Sequence, residues 1–236
     1  MYQAAYGERR VVATGNPEVD KKIGGGIPEG SLSLIEGQSD SGKSVLLQQL
    51  IWGALTENFR IAYYTTENTT RSLLRQMESL GMTIMDHFLL GKLNIYPVPA
   101  AMTADESLTF FSRLLRHISR QTHDIIAIDS LTSYVSHVPE RDTLTFFNAL
   151  KKICDENRTL LITLHAYAFD ESMFIRIRSI CDAHLRLRIE EIGDQLVKVL
   201  EVAKVRGAEK TTGNVVSFEV EPGMGMRIVP ITKAKA

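Results

Sequence analysis

Residues 32–36, Leu-Ser-Leu-Ile-Glu, form a short apolar run that Gly37 ends. A run of this length before a glycine predicts a buried strand. Residues 43–55 follow with a helical pattern, 60–65 with a second strand and 70–80 with a second helix. Residues 93–98 predict a third strand. In 106–120 the apolar residues Leu108, Phe111, Leu114, Leu115 and Ile118 recur at helical spacing, with one buried face. Residues 124–128 are almost continuously apolar, as a strand covered on both faces must be. A further helix over 143–156 gathers Leu144, Phe147, Leu150, Ile153 and Cys154 on one side, and 159–164 predicts the next buried strand.

Strand and helix therefore alternate from residue 32 to residue 164. Alternation of this kind predicts an α/β fold, a mostly parallel central sheet with helices on both faces. After Ala183 the pattern changes. Residues 184–189, 196–204, 215–220 and 226–229 look like strands joined by short polar or glycine-containing turns. An antiparallel C-terminal extension of the sheet is expected. No internal repeat, low-complexity segment or compositional break marks a linker, so residues 1–236 are expected to form one domain.

Composition narrows the function classes. The 236 residues are 44% hydrophobic and 23% charged, with a formal net charge of −1. That balance suits a soluble globular protein and argues against sequence-independent nucleic-acid binding through a basic face. Cys154 and Cys181 have no metal-ligand spacing and are expected to be buried thiols of a reducing compartment. Residues 1–10 lack the apolar core of a signal peptide. No apolar run approaches the roughly 20 residues a membrane span needs. A cytoplasmic protein without direct membrane insertion is expected, able to sit at a membrane complex only through partners.

The sharpest motif is Gly37-Gln38-Ser39-Asp40-Ser41-Gly42-Lys43-Ser44, which fits G-x-x-x-x-G-K-[ST]. Glycines let the backbone curl so that successive N–H groups face phosphate oxygens. The following helix adds its positive dipole end. Lys43 is expected to reach the β- and γ-phosphates of ATP, and the Ser44 hydroxyl to ligate Mg²⁺. Strand before and helix after are the context that this chemistry requires. Asp40 is unusual, because it puts a carboxylate in a loop built for anions. It must point outward, meet a cation, or weaken binding. The partner acid is Asp129, which closes the apolar run Ile125-Ile126-Ala127-Ile128. At the carboxyl end of a central strand it would hold Mg²⁺ directly or through water.

Upstream, Thr14-Gly15-Asn16-Pro17-Glu18-Val19-Asp20 leads into Gly24-Gly25-Gly26-Ile27-Pro28-Glu29-Gly30. With the phosphate loop, this long lead-in resembles the KaiC-like branch of the RecA superfamily, over roughly residues 10–230. Within the branch, the single short domain is most similar to the archaellum accessory ATP-binding proteins. The resemblance implies a RecA-like core able to form hexameric rings, with nucleotide at subunit interfaces. It implies two partners, a motor ATPase and a membrane-proximal ring scaffold.

The resemblance also assigns residues. Lys204-Val205-Arg206-Gly207 matches the Lys-x-Arg pair with which such subunits reach a neighbour's γ-phosphate, so Lys204 and Arg206 are candidate trans-acting fingers. Hydrolytic relatives typically carry two adjacent glutamates after the second strand. Here Thr66 precedes Glu67. Glu67 remains a candidate base, while the missing acid implies slow or absent turnover. His165 follows its strand at a point where RecA-like proteins often carry a polar sensor, although a plain structural histidine fits equally well.

The leading expectation is a regulatory or assembly subunit whose ATP occupancy sets its conformation and its grip on a motor complex. The alternative is an active KaiC- or RecA-like ATPase, a switch or a DNA-associated enzyme. In residues 130–141 only Arg141 is a lysine or arginine, which argues against DNA work. A small-molecule kinase is the third reading, and no recognisable substrate lid supports it.

Overall fold

The protein is described here by a computed structural model covering residues 10–101, 103–192, 195–207 and 214–229. The expectation for residues 1–9 lies outside the described residues. The described residues begin with a two-residue antiparallel pair, β1 (Val11–Val12) and β2 (Ile27–Pro28), around a short helix, α1 (Pro17–Lys22). Asn16 caps α1 by accepting from the Glu18 and Val19 amides, and Pro17 supplies a first-turn φ already suited to a helix.

The alternating region follows in order. It comprises β3 (Leu32–Gly37), α2 (Lys43–Thr56), β4 (Ile61–Thr65), α3 (Thr70–Ser79), α4 (Met85–Leu89) and β5 (Leu93–Pro97). It continues with α5 (Ala104–Arg120), β6 (Ile125–Asp129), α6 (Thr132–Val135), α7 (Glu140–Cys154), β7 (Thr159–His165) and α8 (Glu171–Ile180). The last four strands among the described residues are β8 (Ala183–Ile192), β9 (Gln195–Val205), β10 (Val215–Glu221) and β11 (Gly225–Val229).

Nine strands form one sheet in the order β11-β10-β9-β8-β3-β7-β6-β4-β5. Strands from β8 to β5 in that order are parallel. The antiparallel part begins with β9. Strand β8 thus differs from the expectation, since it enters the sheet parallel to β3 and only its other edge is antiparallel. The helix α8, absent from the pattern reading, provides the crossover that parallel pairing requires. It buries Met173, Phe174 and Ile177 on one side.

Two apolar layers cover the sheet. One face packs Leu46, Leu47, Leu50 and Ile51 of α2 against Ile35, Tyr63, Leu161 and Leu185. The other packs α5, α7 and α8 against Leu34, Ile126 and Ile162. Helix α5 starts two residues before its predicted bound, because Thr103 and Glu106 form a reciprocal capping box. Helix α7 starts three residues early, at Glu140; that first turn is acidic, which suits the positive end of the helix. Both cysteines are free and buried, and burial pushes each thiol up to about 12. Among the described residues no helix is long and apolar enough to cross a membrane.

Candidate nucleotide site

The loop between β3 and α2 is fixed from below. A Cβ on Gly37 would lie 2.3 Å from the Leu187 carbonyl oxygen and 2.7 Å from Ser41 Oγ, so this position holds only glycine. Gly42 has φ +97° and directly precedes α2, whose first turn opens onto the loop. Gln38 accepts from the Ile189 amide at 3.2 Å, and its carbonyl accepts from Ser41 Oγ at 2.8 Å. The loop is therefore tied to β8 and to itself.

Lys43 is buried, and its ammonium donates to the Gln38 carbonyl at 2.6 Å. Burial lowers its pKa; the fields of Glu67, Asp129 and Asp40 oppose that shift. The ammonium also lies 3.4 Å from His165 Nδ1, and His165 Nε2 is 3.6 Å from Glu67 Oε1. The His165 ring stacks on Tyr167 at 5.0 Å. Asp40 is exposed, in the left-handed region at φ 59°, one that Asp tolerates better than most residues.

Asp129 is 1% exposed at the end of β6. Its Oδ1 accepts from Ser44 Oγ at 3.1 Å and from Thr163 Oγ1 at 2.7 Å, and its Oδ2 accepts from the Tyr63 hydroxyl at 2.9 Å. Burial raises the Asp129 pKa, helped by Glu67, while the three hydroxyl donors work the other way. Among the described residues, no Lys, Arg or His forms an ion pair with it. A carboxylate so buried, held by hydroxyls and lacking a cation, fits a hard divalent ion. Ser44, Asp129 and phosphate oxygens are the oxygen donors that Mg²⁺ prefers.

Thr66 and Glu67 diverge. The Thr66 hydroxyl donates to the Ser130 carbonyl and accepts from the Ser130 amide, both at 3.2 Å. Glu67 instead lines an open cavity of about 570 Å³, together with Ser39, Asp40, Lys43, Ser44 and His165. A cavity of that size suits a small-molecule ligand.

Lys204 and Arg206 lie elsewhere. Lys204 pairs with His184, level with the middle of β3 and remote from Gly37, which is level with Leu187. Its ammonium donates to the Arg178 and Cys181 carbonyls at the carboxyl end of α8. Arg206 lies 3.6 Å from Asp182 Oδ1. Neither side chain lines the cavity in its own chain.

Tyr63, Thr163, Gln76, Lys198 and Val220 were not singled out from the sequence. Thr163 left a trace there, as a polar residue inside an otherwise apolar run. Tyr63 left none, because a strand tyrosine is ordinary.

Comparison with known proteins decides the family. The family model of the KaiC ATPase matches residues 12–233. The archaeal flagellar ATP-binding protein FlaH of Sulfolobus acidocaldarius is 32% identical, over 96% of this chain and all of that one. The chain belongs to the KaiC-like ATPase family, with FlaH among its members. FlaH of Methanocaldococcus jannaschii is 30% identical over 89% of this chain and 91% of its own length. The crystal structure of the flagellar accessory protein FlaH from that organism superposes with a TM-score of 0.82, at 28% identity, covering 94% of this chain and all of that one. The RecA-like fold expected from the resemblance is the fold observed: β7 stands between β3, which carries the loop, and β6, which carries Asp129.

Proposed function

We propose that this chain binds ATP–Mg²⁺ at residues 37–44, with slow or absent hydrolysis, as a regulatory or assembly subunit of an archaeal motility motor. The FlaH relatives carry both the ATP-binding and the flagellar description in their names. Gly37, Gln38, Ser39, Asp40, Ser41, Gly42, Lys43 and Ser44 form the phosphate cradle. The loop amides and the Lys43 ammonium hold the phosphate chain. Ser44 and Asp129 hold Mg²⁺, which neutralises charge on the phosphates. Tyr63 and Thr163 orient the Asp129 carboxylate by hydrogen bonds.

The observation that carries the slow-turnover reading is the contrast between Thr66 and Glu67. One position after β4 is closed onto the Ser130 backbone, and of this neighbouring pair Glu67 is the residue that lines the cavity. Glu67 alone then orients the attacking water and accepts its proton. ATP occupancy acts mainly as a signal, stabilising the bound state by RT ln(1 + [L]/Kd). A second reading, an active ATPase, is favoured by Glu67 itself, which lies 3.6 Å from His165 beside Lys43.

Lys204 and Arg206 serve a neighbour's nucleotide in a homo-hexameric ring, since neither reaches the cavity in cis. Lys204 must exchange its α8 carbonyls for that contact. The partners are the motor ATPase and the membrane-proximal ring scaffold, met from the cytoplasm. Equilibrium ATP binding measured beside phosphate release tests the whole reading. Micromolar or tighter binding with turnover far below 1 s⁻¹ supports it, and turnover on the order of 1 s⁻¹ or more promotes the ATPase reading.

A further inference from the structure

Strand β9 presents an interrupted row to the α2 face of the sheet. Val202 and Leu200 are fully buried in that core, two residues apart. The next position in the same row is Lys198. Lys198 pairs across the sheet with Ile189 of β8 and with Phe218 of β10, and paired residues share a face. Both neighbouring strands touch the phosphate loop at this level. The Ile189 amide donates to the Gln38 side chain at 3.2 Å, and the Phe218 ring lies 3.1 Å from where a Gly42 Cβ would be. The apolar row therefore becomes a lysine where it emerges at the loop.

Lys198 lines the same cavity as Lys43, Ser44 and Asp40. Among the described residues, no Asp or Glu lies within 4 Å of its ammonium in an ion pair. A half-buried lysine so placed keeps its stem on apolar neighbours and its charge in the cavity. The cavity meanwhile holds two acids, Asp40 and Glu67, which repel an incoming polyphosphate.

We infer that Lys198 is a second cis cation of the nucleotide site: its ammonium binds the phosphate chain and offsets the Asp40 carboxylate, so the antiparallel extension forms one wall of the site. This rests on the ATP-binding reading above. It assigns to the chain's own β9 a role distinct from that of Lys204 and Arg206, which lie farther along the same strand and just beyond it.

Isothermal titration with ATP–Mg²⁺ and with ADP tests it on the full chain. Lys198→Gln is expected to weaken ATP about tenfold, the worth of one charge-assisted hydrogen bond at a partly exposed site. Lys198→Arg should bind within about threefold of the unmodified protein, because the charge is retained. Should Lys198→Gln fold poorly, Lys198→Met keeps the stem over its apolar neighbours and is expected to show the same loss. Unmodified affinity in Lys198→Gln or Lys198→Met, with binding still strongly weakened in Lys43→Ala, overturns the inference and leaves the nucleotide site standing. No ATP binding by the unmodified protein removes the site and the inference together.

Discussion

The Ser44 hydroxyl donates to the Asp129 carboxylate across 3.1 Å, although 85 positions separate them in the chain. The contact joins the first turn of α2 to the end of β6, across the intervening strand β7. It brings the two proposed Mg²⁺ ligands together before any metal arrives. Cost of assembly is then low, because ligands held in place lose little freedom on binding.

Removing either member of the phosphate and metal machinery separates their roles. Lys43→Ala is expected to lower ATP affinity on the order of 100-fold, since a buried cation facing several phosphate oxygens is lost. Asp129→Asn should weaken binding in Mg²⁺ far more than in EDTA. Isothermal titration in both buffers reads the difference, and equal losses in the two buffers would remove Asp129 from the metal site.

Turnover is expected to depend on Glu67 alone. Glu67→Gln should cut the residual phosphate-release rate by about 10²–10⁴ while leaving ATP affinity nearly unchanged. Thr66→Glu should not restore fast turnover, because the Thr66 side chain occupies the Ser130 backbone on both its donor and its acceptor side. Fast hydrolysis by Thr66→Glu in a phosphate-release assay would show that the loop re-forms around the new acid.

Assembly is expected to follow ATP. If Lys204 and Arg206 reach a neighbouring site, ATP–Mg²⁺ should raise the mass seen by light scattering. The Lys204→Ala/Arg206→Ala protein should respond less. The same mass with and without ATP in both proteins counts against the trans role.

A separate prediction concerns stability behind the loop. Glu36, 1% exposed on β3, accepts from Arg178 Nε at 2.9 Å and Nη2 at 2.7 Å, and lies 3.1 Å from His184 Nε2. Burial alone would raise the Glu36 pKa, but the neighbouring His184 and Arg178 side chains hold it below the usual carboxylate range. A carboxyl with a depressed folded pKa stabilises above its unfolded pKa, and the contribution fades as pH falls through the folded value. Glu36→Gln should therefore cost about 3 kcal/mol at pH 7, as breaking a buried pair does. The gap to the unmodified protein should narrow below about pH 4.5, where the unfolded carboxyl protonates. Urea titrations at pH 7 and pH 3.5 read both values, and a gap that stays constant would contradict the ion-pair account.

Much of the fold was legible because the central parallel strands β3, β4, β6 and β7 are covered on both faces. The runs 32–36, 124–128 and 159–164 are nearly all apolar, and each lies in a strand of the sheet. Helix α8 was not legible, since its ten residues bury only Met173, Phe174 and Ile177 among charged neighbours. The parallel entry of β8 could not be foreseen either. Strand direction leaves no mark on side-chain alternation, and it was the missed crossover helix that set it.

By itself the sequence determined the loop 37–44, its strand-to-helix context and the acid ending the run 125–129. These are local, because glycine, lysine and serine at fixed spacing act through the backbone geometry of one turn. Only the tertiary structure decided what surrounds them. It turned Thr66 onto Ser130 and left Glu67 on the cavity, although the two are neighbours in the chain. It placed Tyr63 and Thr163 on Asp129 from two other strands, and brought Lys198 to the loop from the far end of the chain. The reason is physical: sheet register and crossover paths, not spacing along the chain, choose which side chains share a face, and here those paths join positions more than 150 residues apart.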